Sequence, residues 1–166
     1  MSKVGQTEST DVLVVGAGFA GMYMLYRLRA LGLSVQVLEA GSGVGGTWYW
    51  NRYPGARCDV PSMEYSFSFS EELQQDWNWS EVMAGQPEIL DYANHIAERF
   101  DLLPQIRFDT RVTTAAYNED TRQWLFDTDT GKSYEARYCV MATGCLSVPN
   151  TPSIDGSDNF RGPVYH

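Results

Sequence analysis

Val12-Leu13-Val14-Val15 runs straight into Gly16-Ala17-Gly18-Phe19-Ala20-Gly21. A short apolar, β-branched run that feeds a G-x-G-x-x-G turn and then an amphipathic segment defines a strand–turn–helix unit. Gly16 permits the tight turn, Gly18 lets backbone N–H groups approach a pyrophosphate, and Gly21 lets the helix pack close to the strand. In such a unit the phosphates sit at the helix N-terminus, where unpaired N–H groups and the dipole favour negative charge. The glycine pattern alone is weak. Here a second strand, residues 34–38, ends in Glu39, eighteen residues past Gly21. A carboxylate there can accept hydrogen bonds from a ribose diol. Strand, turn, helix, strand and acid agree on a dinucleotide-binding α/β unit.

The 166 residues match one domain, large enough to bury a core. Apolar content of 43% and aromatic content of 13% argue against disorder. A net charge of −9 disfavours a nucleic acid or an anionic membrane as partner. Cys58, Cys139 and Cys145 are an odd, widely spaced set that makes neither a disulfide framework nor a zinc site, and Cys139 reads as plain core. His95 and His166 cannot supply a metal cluster. Residues 1–10 form a polar tail without a hydrophobic signal region. No apolar stretch approaches the ~20 residues of a membrane span, and the expected compartment is the reducing cytoplasm.

The first helix is expected over residues 19–31, stopped by Gly32. Residues 41–69 are rich in Gly, Pro and aromatics, with neither helical nor strand period. A loop this long inside a compact domain is usually functional. A second helix is expected from Gln86-Pro87-Glu88, with Ile89, Ala93, Ile96 and Phe100 on one buried face. His95 falls off that stripe and reads as a solvated surface histidine. Three short strands, 111–117, 123–128 and 133–137, joined by turns at 118–120 and 129–131, read as an antiparallel meander. A separate buried strand, 138–142, follows and ends at Thr143-Gly144, and residues 148–152 read as a linker. Trp77 and Trp79 are either a binding wall or two aromatics pinning a loop to the core.

Glu39 continues into Ala40-Gly41-Ser42-Gly43-Val44-Gly45-Gly46-Thr47-Trp48. A second glycine pair just after the ribose acid lets backbone fold back over the pyrophosphate. With the meander and the terminal A-T-G, this resembles the FAD domain of flavoproteins with two dinucleotide-binding domains, so the cofactor reads as FAD rather than NAD. The chain then runs W-Y-W-N-R-Y-P-G-A-R-C-D from Trp48 to Asp59. That run resembles the type I Baeyer–Villiger monooxygenases, in particular those acting on phenyl-ketones and steroids. The resemblance extends from Val12 to His166.

The resemblance implies a Rossmann-like FAD-binding domain: a parallel sheet with an inserted antiparallel β-meander. It implies FAD and NADPH as cofactors, and a ketone and O₂ as substrates. Oxygen would enter next to the carbonyl through a C4a-peroxyflavin, giving an ester or lactone. It assigns Gly16, Gly18, Phe19, Ala20, Gly21, Glu39, Gly46, Thr47, Trp48, Tyr49, Trp50, Asp59, Tyr65, Val112 and Gly144 to FAD. It assigns Arg57, Cys58 and Asp59 to NADP, with Asp59 also supporting a catalytic arginine from elsewhere. Read from the residues alone, Asp59 is an Asx turn, and Arg57 is equally a surface salt bridge. Nothing in the sequence makes Cys58 a nucleophile.

Phe160-Arg161-Gly162-Pro163-Val164-Tyr165-His166 matches F-x-G-x-x-x-H, which in this family precedes a second G-x-G-x-x-G for NADPH. The expected division is therefore a polar tail at 1–10 and an FAD-binding domain at 11–147 containing the 41–69 loop. Residues 148–166 would be a linker and motif leading to an NADPH domain outside this sequence. Two alternatives stand beside ketone oxygenation: another flavin monooxygenase, acting on nitrogen or sulfur, and a flavin-binding fragment without turnover.

Overall fold

The computed structural model describes residues 7–164. Strand β1, Glu8–Val15, carries Val12, Leu13 and Val14 fully buried. An unbroken apolar run of this kind marks a strand covered on both faces. Helix α1, Phe19–Ala30, follows the glycine turn, and β2, Val35–Leu38, lies parallel to β1 with Val12 opposite Val35 and Val15 opposite Leu38. Leu31 caps α1, and Gly32, at φ +78°, takes the left-handed turn after it, one residue from the expected stop. The long loop that follows holds α2, Thr47–Trp50, and a 3₁₀ turn, Ser62–Tyr65. Next come α3, Glu71–Asp76, and α4, Gln86–Arg99. The chain then forms β3, Ile106–Arg107, β4, Val112–Asn118, β5, Gln123–Thr128, and β6, Ser133–Met141.

One six-stranded sheet results, in the order β3-β2-β1-β6-β5-β4. The first four strands run parallel, β5 pairs antiparallel with β6, and β4 pairs antiparallel with β5 at the edge. The expected α/β fold with a meander is present, with three corrections. The separate strands at 133–137 and 138–142 are one strand, β6, which closes the meander against β5 and also pairs with β1 from Glu8 to Val15. The polar Arg137 interrupts the apolar run but not the strand. Secondly, β1 starts at Glu8, so residues 8–10 belong to the sheet rather than to a polar tail. Thirdly, the last strand is not buried throughout: Tyr138 is 48% and Met141 59% exposed, and Cys139 is only half-buried.

The main core lies between the sheet and the helices. Val12, Val14 and Val37 meet Met22 and Leu25 of α1 and Tyr92, Ala93 and Ile96 of α4. Burying each large apolar side chain contributes about 1.5–3 kcal/mol. Leu13, Leu38, Phe126, Tyr134 and Ala136 form a second cluster. His95 departs from its expected solvated position. Its ring packs 5.5 Å from that of Trp77, and its Nε2 is buried without a hydrogen-bond partner among the described residues. Trp77 and Trp79 lie 5.2 and 5.0 Å from Tyr92, and Trp79 Nε1 donates to Ser66 Oγ at 2.9 Å. These tryptophans pin the loop to α4. Among the described residues, no helix is long and apolar enough to cross a membrane.

Candidate functional site

The glycine turn after β1 is set by close backbone packing. Gly16 has φ +103°, and a Cβ there would lie 2.6 Å from the carbonyl oxygen of Ala142. A Cβ on Gly21 would lie 1.9 Å from the carbonyl oxygen of Gly16. Gly18 differs: it is the N-cap of α1, and its Cβ would stand 3.5 Å from Gly46 Cα, an ordinary contact. Gly46, at φ +55°, in turn faces Gly18, and Gly45 N donates to Ala17 O at 3.1 Å. The two glycine-rich turns therefore lean on each other. No side chain caps α1 and no acidic residue occupies its first turn. Its leading N–H groups and dipole thus have no side-chain cap or acid to satisfy them, and an end of this kind suits a pyrophosphate.

Glu39 is buried, at 5% exposure, at the end of β2. Ala17 N donates to its Oε2 and Gly41 N to its Oε1, each at 2.7 Å. These bonds fix the carboxylate plane beside the turn, and each oxygen has a further lone pair for a hydroxyl donor. Thr110 N donates to Glu39 O at 2.9 Å, which brings the start of β4 and the half-buried Val112 to the same end of the sheet. Gly144, at φ +70°, lies two residues past Ala142, the residue that backs Gly16. Gly16, Gly18, Phe19, Ala20, Gly21, Glu39, Gly46, Val112 and Gly144 thus gather at the C-terminal ends of the parallel strands. Ligands bind there in open α/β sheets.

The aromatic loop closes over the same end. Trp48 is buried, and Tyr65 packs edge-on against both Trp48, at 5.6 Å, and Phe19 of α1, at 5.8 Å. Burial raises the Tyr65 hydroxyl above the usual tyrosine range, so it remains a proton donor at neutral pH. Gln86 Nε2 donates to Trp48 O at 2.5 Å, tying α2 to α4. Tyr49 takes a different role: its ring lies under Gly41 and Gly43, and its hydroxyl bonds Ser42. Trp50 is 54% exposed.

Residues 56–62 run alongside 82–86. Cys58 N donates to Ala84 O at 3.1 Å, Gln86 N to Ala56 O at 2.8 Å and Ser62 N to Val82 O at 2.7 Å. Cys58 is buried between Arg57 and Asp59, which both point outward. Arg57 Nη1 donates to Glu81 Oε2 at 2.9 Å and to Met83 O at 3.0 Å. The surface salt bridge open to Arg57 from the sequence is therefore formed. The Asx turn open to Asp59 is not: its exposed carboxylate has no hydrogen bond or ion pair among the described residues. Sequence reasoning missed Glu81, Ser62 and Gln86, because their partners lie 19–38 residues away along the chain. His166 of the F-x-G-x-x-x-H motif lies outside the described residues.

The family description pyridine nucleotide-disulphide oxidoreductase matches residues 13–166. Among curated proteins, a Baeyer–Villiger monooxygenase from Pseudooceanicola batsensis is 44% identical over 169 residues, covering 97% of this chain and 31% of that protein. A phenazine N-monooxygenase from Lysobacter antibioticus is also 44% identical, over 94% of this chain and 29% of its own length. Among solved structures, an oxidised steroid monooxygenase bound to NADP superposes with a TM-score of 0.84 at 60% identity, covering 90% of this chain and 29% of that one. A closed crystal structure of cyclohexanone monooxygenase gives 0.86 at 44% identity, covering 95% and 30%. The chain spans about 30% of the length of these relatives. It belongs to the pyridine nucleotide-disulphide oxidoreductase family, and Baeyer–Villiger monooxygenases are among its homologues there.

Proposed function

We propose that this chain is the FAD-binding part of an NADPH-dependent monooxygenase that inserts oxygen next to a ketone carbonyl, giving an ester or lactone. The observation that carries the reading is the W-Y-W-N-R-Y-P-G-A-R-C-D loop folded against the uncapped start of α1. Residues 11–147 hold FAD, and 148–166 lead to an NADPH-binding domain elsewhere in the polypeptide or on a second chain. The reducing cytoplasm suits its three free cysteines.

The residues present fit the cofactors. The α1 amides around Gly18, Phe19, Ala20 and Gly21 take the pyrophosphate, and Gly46 and Thr47 close the opposite side. Glu39 accepts from the ribose hydroxyls with its outward lone pairs. Gly16, Val112 and Gly144 leave room for the dinucleotide along the strand ends. Bound together, FAD and NADPH supply hydride transfer and the activation of O₂. The chain's part is to position and to keep dry. Phe19, Trp48 and Tyr65 exclude water from the pocket mouth, flanked by Tyr49 and Trp50, and the Tyr65 hydroxyl offers a proton that burial keeps in place. Arg57 and the Cys58 backbone lie beside the nicotinamide nucleotide. Asp59, with no hydrogen bond or ion pair among the described residues, orients a cation supplied from outside the chain.

Denaturing the full-length protein and separating the released chromophore tests the cofactor. FAD is expected, and FMN alone or no flavin overturns the reading. Product analysis with ketones and NADPH tests the reaction, with ester or lactone expected. A second reading, oxygenation of nitrogen, is favoured by the similarity to the phenazine N-monooxygenase. N-oxide formed from a heteroaromatic amine, with no ester formed from ketones, would select it.

A further inference from the structure

The Arg57 guanidinium is held by a built arrangement rather than by a chance surface contact. Glu81 Oε2 and Met83 O both accept from Nη1, so both bonds fall on one edge of the group. The segment carrying these acceptors is itself pinned. Ser62, 2% exposed, donates from Oγ to Glu81 O and Val82 O at 2.8 and 3.0 Å and accepts from Ala84 N at 2.8 Å. An antiparallel bridge joins Arg57 to Gly85. A buried hydroxyl with three backbone bonds thus fixes the backbone from which the Glu81 carboxylate reaches Arg57. The pair itself is exposed, with side chains 50% and 55% accessible, and such pairs contribute only about 0–1 kcal/mol to stability. Stability does not account for so much scaffolding.

We infer that Glu81 is a positioning residue for NADP: it holds the Nη1 edge of Arg57, so that the Nη2 edge meets a phosphate or nicotinamide group of the bound nucleotide. The inference rests on the assignment of Arg57 to NADP made above. Its sign separates it from simple electrostatics. Deleting a carboxylate near a polyanionic ligand tightens binding by charge alone. Loss of a positioning group weakens it, because the freed arginine must be re-ordered on binding.

The test is equilibrium titration of the full-length flavoprotein with NADP⁺, followed by flavin absorbance, for Glu81→Ala, Glu81→Gln, Arg57→Ala and the double variant. Glu81→Ala is expected to weaken NADP⁺ binding about five- to tenfold, within the coupling range of contacting residues. The KM for NADPH should rise with kcat largely retained, while flavin content and thermal unfolding stay unchanged. Glu81→Gln, which keeps an acceptor for Nη1, should recover most of the affinity although the charge is gone. In the Arg57→Ala background, Glu81→Ala should have no further effect. Unchanged or tighter binding by Glu81→Ala, with Arg57→Ala weakened, overturns the role of Glu81 alone. Unchanged binding by Arg57→Ala overturns the assignment of Arg57 and this inference with it.

Discussion

Gly18 and Gly21 lie in one turn and answer to different neighbours. A methyl on Gly21 would meet the Gly16 carbonyl at 1.9 Å, so Gly21→Ala must displace backbone. Overpacking of this kind costs on the order of 1–3 kcal/mol. A methyl on Gly18 meets the Gly46 backbone at ordinary contact, 3.5 Å to Cα and 3.8 Å to N. Gly18→Ala should therefore fold. In Gly18→Val a branched side chain must occupy the space between the two glycine-rich turns where we place the pyrophosphate. The Val variant of the full-length protein should lose its flavin, read as the ratio of visible to protein absorbance. Full flavin content would remove the phosphate from this turn. Asp59 is the second residue whose part can be separated from stability. Its carboxylate has no partner among the described residues, so Asp59→Ala should shift stability by no more than about 0.5 kcal/mol. It should keep FAD and lower the rate of ketone oxygenation, and an unchanged steady-state rate would leave Asp59 without a role.

At the scale of elements, Asp127 of β5 ties the meander together. Ser133 Oγ donates to its Oδ1 at 2.7 Å and Thr114 Oγ1 to its Oδ2 at 2.9 Å, so one carboxylate links β6 and β4. The bond from Ser133, then that from Thr114, holds its pKa below the ordinary aspartate range. A depressed pKa contributes stability above the unfolded value, ~3.9, and that contribution is lost as pH falls through the folded value. Asp127→Asn should thus be less stable than the parent near pH 7, with the gap closing under more acidic conditions. Urea unfolding at several pH values reads this, and a gap that widens in acid would contradict it. Aspartate and serine on the meander were readable from the sequence, but their pairing was not. Local signals located the elements well: Gly32 stopped α1, Pro87 opened α4, and the turns at 118–120 and 129–131 bounded β5. The two-residue β3 carries no period at all. The join of two expected strands into β6 depends on pairing with β1, 126 positions earlier in the register of Glu8 and Tyr134.

At the scale of the molecule, the dinucleotide turn was legible because its parts are local: three glycines, one strand and one acid within 28 positions from Val12 to Glu39. The clamp on Arg57 was not, because Glu81 reaches it only once the chain has folded back. What the described residues assemble is one cofactor turn and a half-open aromatic mouth. Tyr138, Met141, Val148, Ile154 and Phe160 are exposed, apolar surface of the kind that a neighbouring domain covers. Residues 1–166 by themselves, supplied with FAD, NADPH and a ketone, are therefore expected to make no ester. Oxygenation as proposed needs two nucleotides held in near contact, and that positioning supplies much of the rate. The sequence has one glycine-rich dinucleotide turn. Water reaching an open flavin face would divert reduced oxygen to hydrogen peroxide rather than to the ketone. Gas chromatography of the reaction, beside a peroxide assay, reads both outcomes on a sample whose mass confirms 18.7 kDa. No ester is the expected result, and any oxygen that is reduced should appear as peroxide. Ester formed at ~1 s⁻¹ or faster, within the ordinary range of enzymes, would show that this segment holds a complete active site.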